Sequence, residues 1–325
     1  MKSIVLFDTA VGSLNQGDEI INISIKRNWP ELYGDNYIIR LASHTPLYTP
    51  LQNFLYKSKF EAITKADYKF LCGTNALYTN MLRPRPAWNI NLLNSSLARN
   101  TICIGTGVGI NSKLPNLYTR MLYKRVLSKE YIHSVRDEKT KEFLEELGFQ
   151  AVNTGCPTLW GITEELCNKI PERKSRKVVF TLTFYTPDRK NDEEMIRILQ
   201  KNYEQVYFWP QCIQDLEYLR SFKNVDTINI VAPNLIKYDE ILSDQEIDYV
   251  GNRLHGGIFA IQHARRAIII SIDYRAKEMS TNYTFPCIER NDISDKLDNM
   301  INSVWKTRIN GIDHKKIEEW KRQFI

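Results

Sequence analysis

The sequence contains no apolar run long enough to cross a bilayer. The longest, Ala267–Ile272 (AIIISI), is the size of a strand, whereas a spanning helix needs about 20 apolar residues. It contains no CxxC pair. The six cysteines, at 72, 103, 156, 167, 212 and 287, are scattered, several inside strand-like segments, so free buried thiols are expected rather than bridges or zinc ligands. No His/Asp/Glu cluster has ligand spacing, so no metal is implied. Internal repeats and low-complexity tracts are absent. The N-terminal MKSIVLFDTAVG lacks the longer apolar region and small-residue cleavage site of a secretory leader, and it reads as a buried first strand. The expectation is a soluble, cytoplasmic protein. Charge of one sign is also scarce. The 44 Lys+Arg against 38 Asp+Glu leave +6, spread over Arg173–Lys177, Arg265–Arg266 and a tail with Lys315, Lys316, Lys321 and Arg322. Without interleaved aromatics this is no nucleic-acid footprint. It suits small anions or the surface of an anionic membrane, and solvated faces account for most of these lysines.

What is present is an ordinary globular composition, 43% apolar and 25% charged over 325 residues, with length for about two domains. Short apolar segments alternate with helical patterns throughout. The strand candidates are Ile4–Phe7, Tyr37–Leu41, Tyr68–Cys72, Thr101–Gly105 and His133–Val135, then Lys177–Leu182, Val206–Trp209, Asp226–Ile230, Tyr249–Gly251 and Ala267–Ile272. The helix candidates between them include Asp18–Asn28, Glu138–Leu147, Asp192–Asn202, Ile213–Lys223 and Leu254–Ala264. Such alternation predicts βαβ units and mostly parallel sheets. Pro171 and a charge run interrupt the pattern near Asn168–Lys177, which divides the chain into domains 1–170 and 171–325. The predicted fold is α/β, with two Rossmann-like domains facing a cleft and ligands held at the carboxyl ends of the strands. The last segment, Asp313–Phe324, reads as a charged helix with Ile317, Trp320 and Phe324 on one face, crossing back to the first domain.

Four segments carry candidate chemistry. In Tyr249–Ala260 (YVGNRLHGGIFA) an apolar strand end delivers Arg253 and His255, and a helix then opens at Gly256-Gly257. A helix N-terminus favours an anion, Arg253 adds a planar fork for phosphate or carboxylate, and His255 can hold or supply a proton. A loop arginine beside a helix-capping histidine is the plainer alternative. In Ser13–Glu19 (SLNQGDE), Asn15 and Gly17 suit a tight strand-to-helix turn, with Asp18 either capping the helix or offering a carboxylate to a sugar hydroxyl. His133–Asp137 (HSVRD) places Arg136 at another strand end, as an anion-binding group or as half of an Arg–Asp surface pair. Gly105–Gly109 (GTGVG) lacks the third glycine and the acidic partner of a dinucleotide fingerprint, so it reads as a loop allowing close backbone approach.

Taken in order, five elements resemble the polysaccharide pyruvyl transferase family: Asn15-Gln16-Gly17-Asp18-Glu19, Cys72-Gly73-Thr74-Asn75, Gly105-Thr106-Gly107, Ser134-Val135-Arg136-Asp137 and Gly251-Asn252-Arg253-Leu254-His255. Tyr274 and Lys277 resemble a further family feature. The chain departs at Cys156-Pro157, where the family often has Asp-Pro, and at Gly73-Thr74, where it has Gly-Gly. The resemblance implies a fold of the GT-B type and transfer of a pyruvyl group from phosphoenolpyruvate to two hydroxyls of a sugar, forming a cyclic ketal, with no cofactor. It implies a donor site of Arg136, Arg253, His255, Gly256 and Lys277, an acceptor side of Asn15, Asp18 and Asn75, and catalysis by His255, Asp18 and Arg253. The acceptor it implies is a polysaccharide or a lipid-linked oligosaccharide at the inner face of the membrane. Two other readings fit the same residues. One is a glycosyltransferase of the same fold using a nucleotide sugar. The other is a non-catalytic scaffold of a polysaccharide assembly.

Overall fold

The computed structural model describes the chain except residues 84, 85, 113, 273 and 325, and the backbone alone at 50, 53, 274 and 275. Two compact units form. The first comprises Met1–Ser13, Ile21–Trp160 and Asp313–Ile325, and the second comprises Leu14–Ile20 with Gly161–Ile312. Residues 161–170 and Leu14–Ile20, assigned from sequence to the first domain, lie in the second unit, and Asp313–Ile325, assigned to the second domain, lies in the first.

The first unit is built on β1 (Ser3–Asp8), β2 (Tyr37–Ala42), β3 (Tyr68–Cys72), a two-residue strand β4 (Leu77–Tyr78), β5 (Thr101–Ile104), a second short strand β6 (Val108–Gly109), β7 (His133–Val135) and β8 (Ala151–Asn153). Its main sheet runs β2-β1-β3-β5, all parallel. β4 pairs with β6 and β7 with β8. A bridge from Thr106 to Val135 carries the order on from β5. His133 fastens that junction: its Nδ1 accepts from the Cys103 N–H at 3.1 Å while its Nε2 sits 2.9 Å from the Ser128 carbonyl. Burial pushes the imidazole pKa down to about 4, which keeps it neutral at pH 7 with the proton on Nε2.

The second unit is built on β9 (Lys177–Thr181), β10 (Gln205–Phe208), β11 (Asn229–Ile230), β12 (Ile247–Gly251), β13 (Ala267–Ser271) and β14 (Cys287–Glu289). Its six parallel strands stand in the order β11-β10-β9-β12-β13-β14. That is the doubly wound Rossmann order, whose direction reverses between β9 and β12. β9, β12 and β13 are nearly continuous apolar runs, as a sheet covered on both faces requires. The helices start where polar side chains take up free N–H groups: Asp188, Asn234 and Asp137 each accept from the backbone three residues on.

The C-terminal helix His314–Lys321 returns to the first unit, as its apolar face predicts. Trp320 packs edge-on against Trp29 (5.3 Å between centroids) and beside Trp160, and its indole N–H donates to the Ile132 carbonyl at 2.7 Å. Phe324 sits among Trp29, Tyr68, Phe70 and Tyr131. Lys321 is buried too, and its ammonium caps the Asn28 carbonyl at 2.6 Å. The tail therefore turns its tryptophan inward rather than toward a lipid surface. Replacing Trp320 with Ala should cost roughly 3–5 kcal/mol through the cavity left, read by chemical denaturation. A loss under about 1 kcal/mol would show that this helix is not part of the core. Among the described residues no helix is long and apolar enough to cross a membrane.

Candidate functional site

Arg253 ends the turn after β12 and occupies the cap position of the nine-residue helix Leu254–Gln262. It is 5% exposed. Its Nη2 donates to both carboxylate oxygens of Asp215 at 2.5 Å and its Nε to the Leu182 carbonyl at 3.3 Å. The Tyr185 ring lies 4.9 Å beneath the guanidinium. The backbone is held as firmly. The Arg253 N–H donates to the Thr181 hydroxyl, and its carbonyl accepts from the Tyr249 hydroxyl at 2.8 Å. Asp215, fully buried in the first turn of the helix Ile213–Arg220, also accepts the N–H of Phe184 and of Gln211. One ion pair thus gathers the carboxyl ends of β9, β10 and β12, the place where a doubly wound sheet binds its ligand. Neither Asp215 nor Gln211 was among the sequence candidates.

Around that pair, buried polar atoms go unmet. Among the described residues, both side-chain atoms of Asn252, the Nε2 of Gln211 and the hydroxyl of Thr183 find no hydrogen-bond partner, although all three residues are at most 3% exposed. A buried group left so costs roughly 1–3 kcal/mol unless water or a ligand meets it, and three such residues follow β9, β10 and β12. Carboxamides offer N–H donors to anionic oxygens and a carbonyl to a hydroxyl, so the cluster suits a ligand carrying both.

The glycines here serve packing. A Cβ on Gly251 would fall 2.4 Å from the Thr181 hydroxyl, and one on Gly257 2.6 Å from Ile269. Their absence lets β12 and the helix close onto the neighbouring strands. Gly256 lies beside Gln211, whose Nε2 would be 3.1 Å from a Cβ there, and its carbonyl accepts from the Tyr238 hydroxyl. His255, half-buried, is the second residue of this helix.

The Asn15–Asp18 turn packs with the second unit. Asn15 Oδ1 accepts the Gly17 N–H at 3.1 Å, and the Gln16 N–H donates to the Gln211 carbonyl at 3.1 Å. A Cβ on Gly17 would stand 3.3 Å from Gln211 Oε1. Gln211 therefore borders both the turn bearing Asp18 and the start of the helix bearing His255. Asp18 itself is buried.

Arg136 belongs to the first unit, at the end of β7. Its side chain, 12% exposed, pairs with Asp137 at 3.2 Å. Gly107 makes room for it and for Asn75: a Cβ there would meet Arg136 Nε at 2.3 Å and Asn75 Oδ1 at 2.6 Å. Asn75 Oδ1 is a further buried atom without a partner. Arg136, Asn75 and Gly107 thus form a second polar cluster. Thr74, where the family has glycine, is held at φ 50° beside Gly73 at 61°, a left-handed conformation that costs a threonine of order 1 kcal/mol. Cys156 is buried, and that burial raises its thiol pKa. Lys277 is exposed and paired with Glu289 at 2.6 Å, which raises its pKa. The Tyr274 side chain lies outside the described residues. Among the described residues no group of three or more His, Cys, Asp or Glu side chains could hold a metal ion.

Residues 15–274 match the polysaccharide pyruvyl transferase family. The chain belongs to that family. Among solved structures, the chain is similar to the UDP-GlcNAc 2-epimerase of Methanocaldococcus jannaschii, solved with UDP-GlcNAc and UDP, at 14% identity and TM-score 0.56, covering 99% of this chain and 98% of that one. It is also similar to the UDP-GlcNAc 2-epimerase of Neisseria meningitidis bound to UDP-GlcNAc, at 12% identity and TM-score 0.53, covering 99% and 100%. At such identities the likeness shows the fold, the two-domain Rossmann-like arrangement of GT-B type. No curated protein matches the sequence significantly.

Proposed function

We propose that this family member transfers the pyruvyl group of phosphoenolpyruvate to two hydroxyls of one sugar in a polysaccharide or lipid-linked precursor, making a cyclic ketal and releasing inorganic phosphate. The observation that carries this reading is the Arg253–His255 element, opening a helix at the switch point of a Rossmann sheet beside unmet carboxamides. The donor is a small anion, and the free N–H groups of the first helical turn favour its charge.

The atoms balance in two stages. A proton added to the enol carbon C3 turns the methylene into a methyl and leaves C2 electron-poor, and the first sugar hydroxyl bonds to C2 and gives up its proton. The second hydroxyl then takes the place of phosphate at C2: phosphate departs with the C–O bonding pair and takes up the proton that the second hydroxyl loses. His255 is assigned the proton that reaches C3, and Asp18 the proton leaving the attacking hydroxyl. Lys277 contributes less, its charge being met by Glu289.

Thermal unfolding tests the donor. Phosphoenolpyruvate at a hundred times its dissociation constant should stabilise the protein by about 2.7 kcal/mol, while UDP-, GDP- and CMP-sugars leave the melting temperature unmoved. A rise with a nucleotide sugar and none with phosphoenolpyruvate would move the chain to the nucleotide-sugar transferases, and the proton assignments would fall with it.

A further inference from the structure

We infer that Gln211 and Asn252 are the groups that read the donor's anionic oxygens, through uncharged amide N–H bonds, and that Asp215 is the positioning residue that aims them. The inference rests on the donor proposed above. Three observations lead to it. Arg253, the obvious anion binder in sequence, has its Nη2 and Nε committed inside the protein, to Asp215 and to the Leu182 carbonyl. The buried carboxylate offsets its charge, so the arginine offers the ligand much less than a bare guanidinium would. Gln211 Nε2 and Asn252 Nδ2, by contrast, are buried donors with nothing to donate to. Asp215 sets where each of them stands. It accepts the Gln211 N–H at 3.2 Å, and it grips the arginine that directly follows Asn252. It also accepts the Phe184 N–H at 3.1 Å, next to the unmet hydroxyl of Thr183.

A carboxamide suits this work. Its NH2 offers two N–H donors to anionic oxygens without adding charge to a site that already holds an internal ion pair. Gln211 also borders the Asn15–Gly17 turn and Gly256, so a donor held by its Nε2 lies next to the segments carrying both Asp18 and His255.

The two roles open to these amides, ligand donor and internal strut, predict opposite responses to an apolar replacement. Asn252→Leu and Gln211→Met remove unmet donors of similar volume. Each should leave the melting temperature of the ligand-free protein unchanged or higher, and should weaken phosphoenolpyruvate binding by calorimetry about tenfold or more, the usual loss for a hydrogen bond to a charged group. A lower melting temperature with affinity within twofold of the wild type would overturn the inference, because the amides would then be satisfied internally by ordered water. If both quantities fall, Asn252→Ser and Gln211→Asn decide, since they return an uncharged donor to each position: affinity regained over the apolar variants supports the assignment, and none regained overturns it. A wild-type protein that does not bind phosphoenolpyruvate would sink this inference together with the proposed reaction. Variants that bind it like the wild type would sink the inference alone.

Discussion

Replacing His255 with alanine is expected to lower transfer by about 10²- to 10⁴-fold, the range for losing a positioned proton donor, and to leave the melting temperature nearly unchanged. The half-buried side chain projects from the first turn of a helix whose own fixing is done by other residues. Tyr249 and Thr181 hold the Arg253 backbone, Tyr238 holds the Gly256 carbonyl, and the next turn, Ile258 to Ile261, is fully buried. Under the proposed role, removing the imidazole takes away a proton donor while these backbone anchors of the helix start remain. Phosphate release from phosphoenolpyruvate in the presence of the saccharide acceptor reads the rate, and thermal unfolding reads the framework. A variant within tenfold of the wild-type rate would strip His255 of its proton-transfer role. A melting temperature lowered by many degrees would make it a strut instead.

Replacing Asp215 with asparagine should destabilise the protein by roughly 3–5 kcal/mol, the cost of stranding one member of a buried ion pair. Asparagine keeps the shape but only one acceptor oxygen, so it can meet the N–H of Phe184 or of Gln211 and not both, and the charge opposite Arg253 is lost as well. That guanidinium, 5% exposed, is left with a carbonyl, a ring face and a weak thiol contact as its remaining neighbours. Because the pair pins three strand ends, donor binding should weaken along with stability. Urea denaturation checks the first effect and calorimetry with phosphoenolpyruvate the second. A change below about 1 kcal/mol would mean the carboxylate and guanidinium are far better solvated than their burial indicates.

Much of this architecture is written locally in the sequence. Tyr68–Cys72 and His133–Val135 stand in the structure with the predicted limits, and the apolar runs of β9, β12 and β13 mark a sheet covered on both faces. The elements missed are those with little local signal. β8 is three partly buried residues and β14 a three-residue edge strand, while the predicted Asp226–Ile230 shrinks to the exposed pair Asn229–Ile230. The site divides the same way. Arg253 and His255 are visible because an apolar strand delivers them. Asp215 looks like any acid in the first turn of a surface helix, and Gln211 like a loop residue; only the approach of β12 to β9 and β10 buries them. The glycines after His255 were legible as close-approach positions, but what approaches Gly257 is the Ile269 side chain.

The return of the last helix to the first unit has a consequence for synthesis. Trp29, Tyr68 and Phe70 leave the ribosome early, yet the aromatic partners that cover them, Trp320 and Phe324, are made after both sheets. The second unit, Leu14–Ile20 apart, is drawn from one uninterrupted stretch and has every residue in hand before the first unit does. Order of translation and order of completion are therefore reversed. During elongation the earlier half carries an uncovered aromatic floor, the kind of surface that holds a nascent chain on a chaperone, until the segment bearing Trp320 and Phe324 has been made and has folded back.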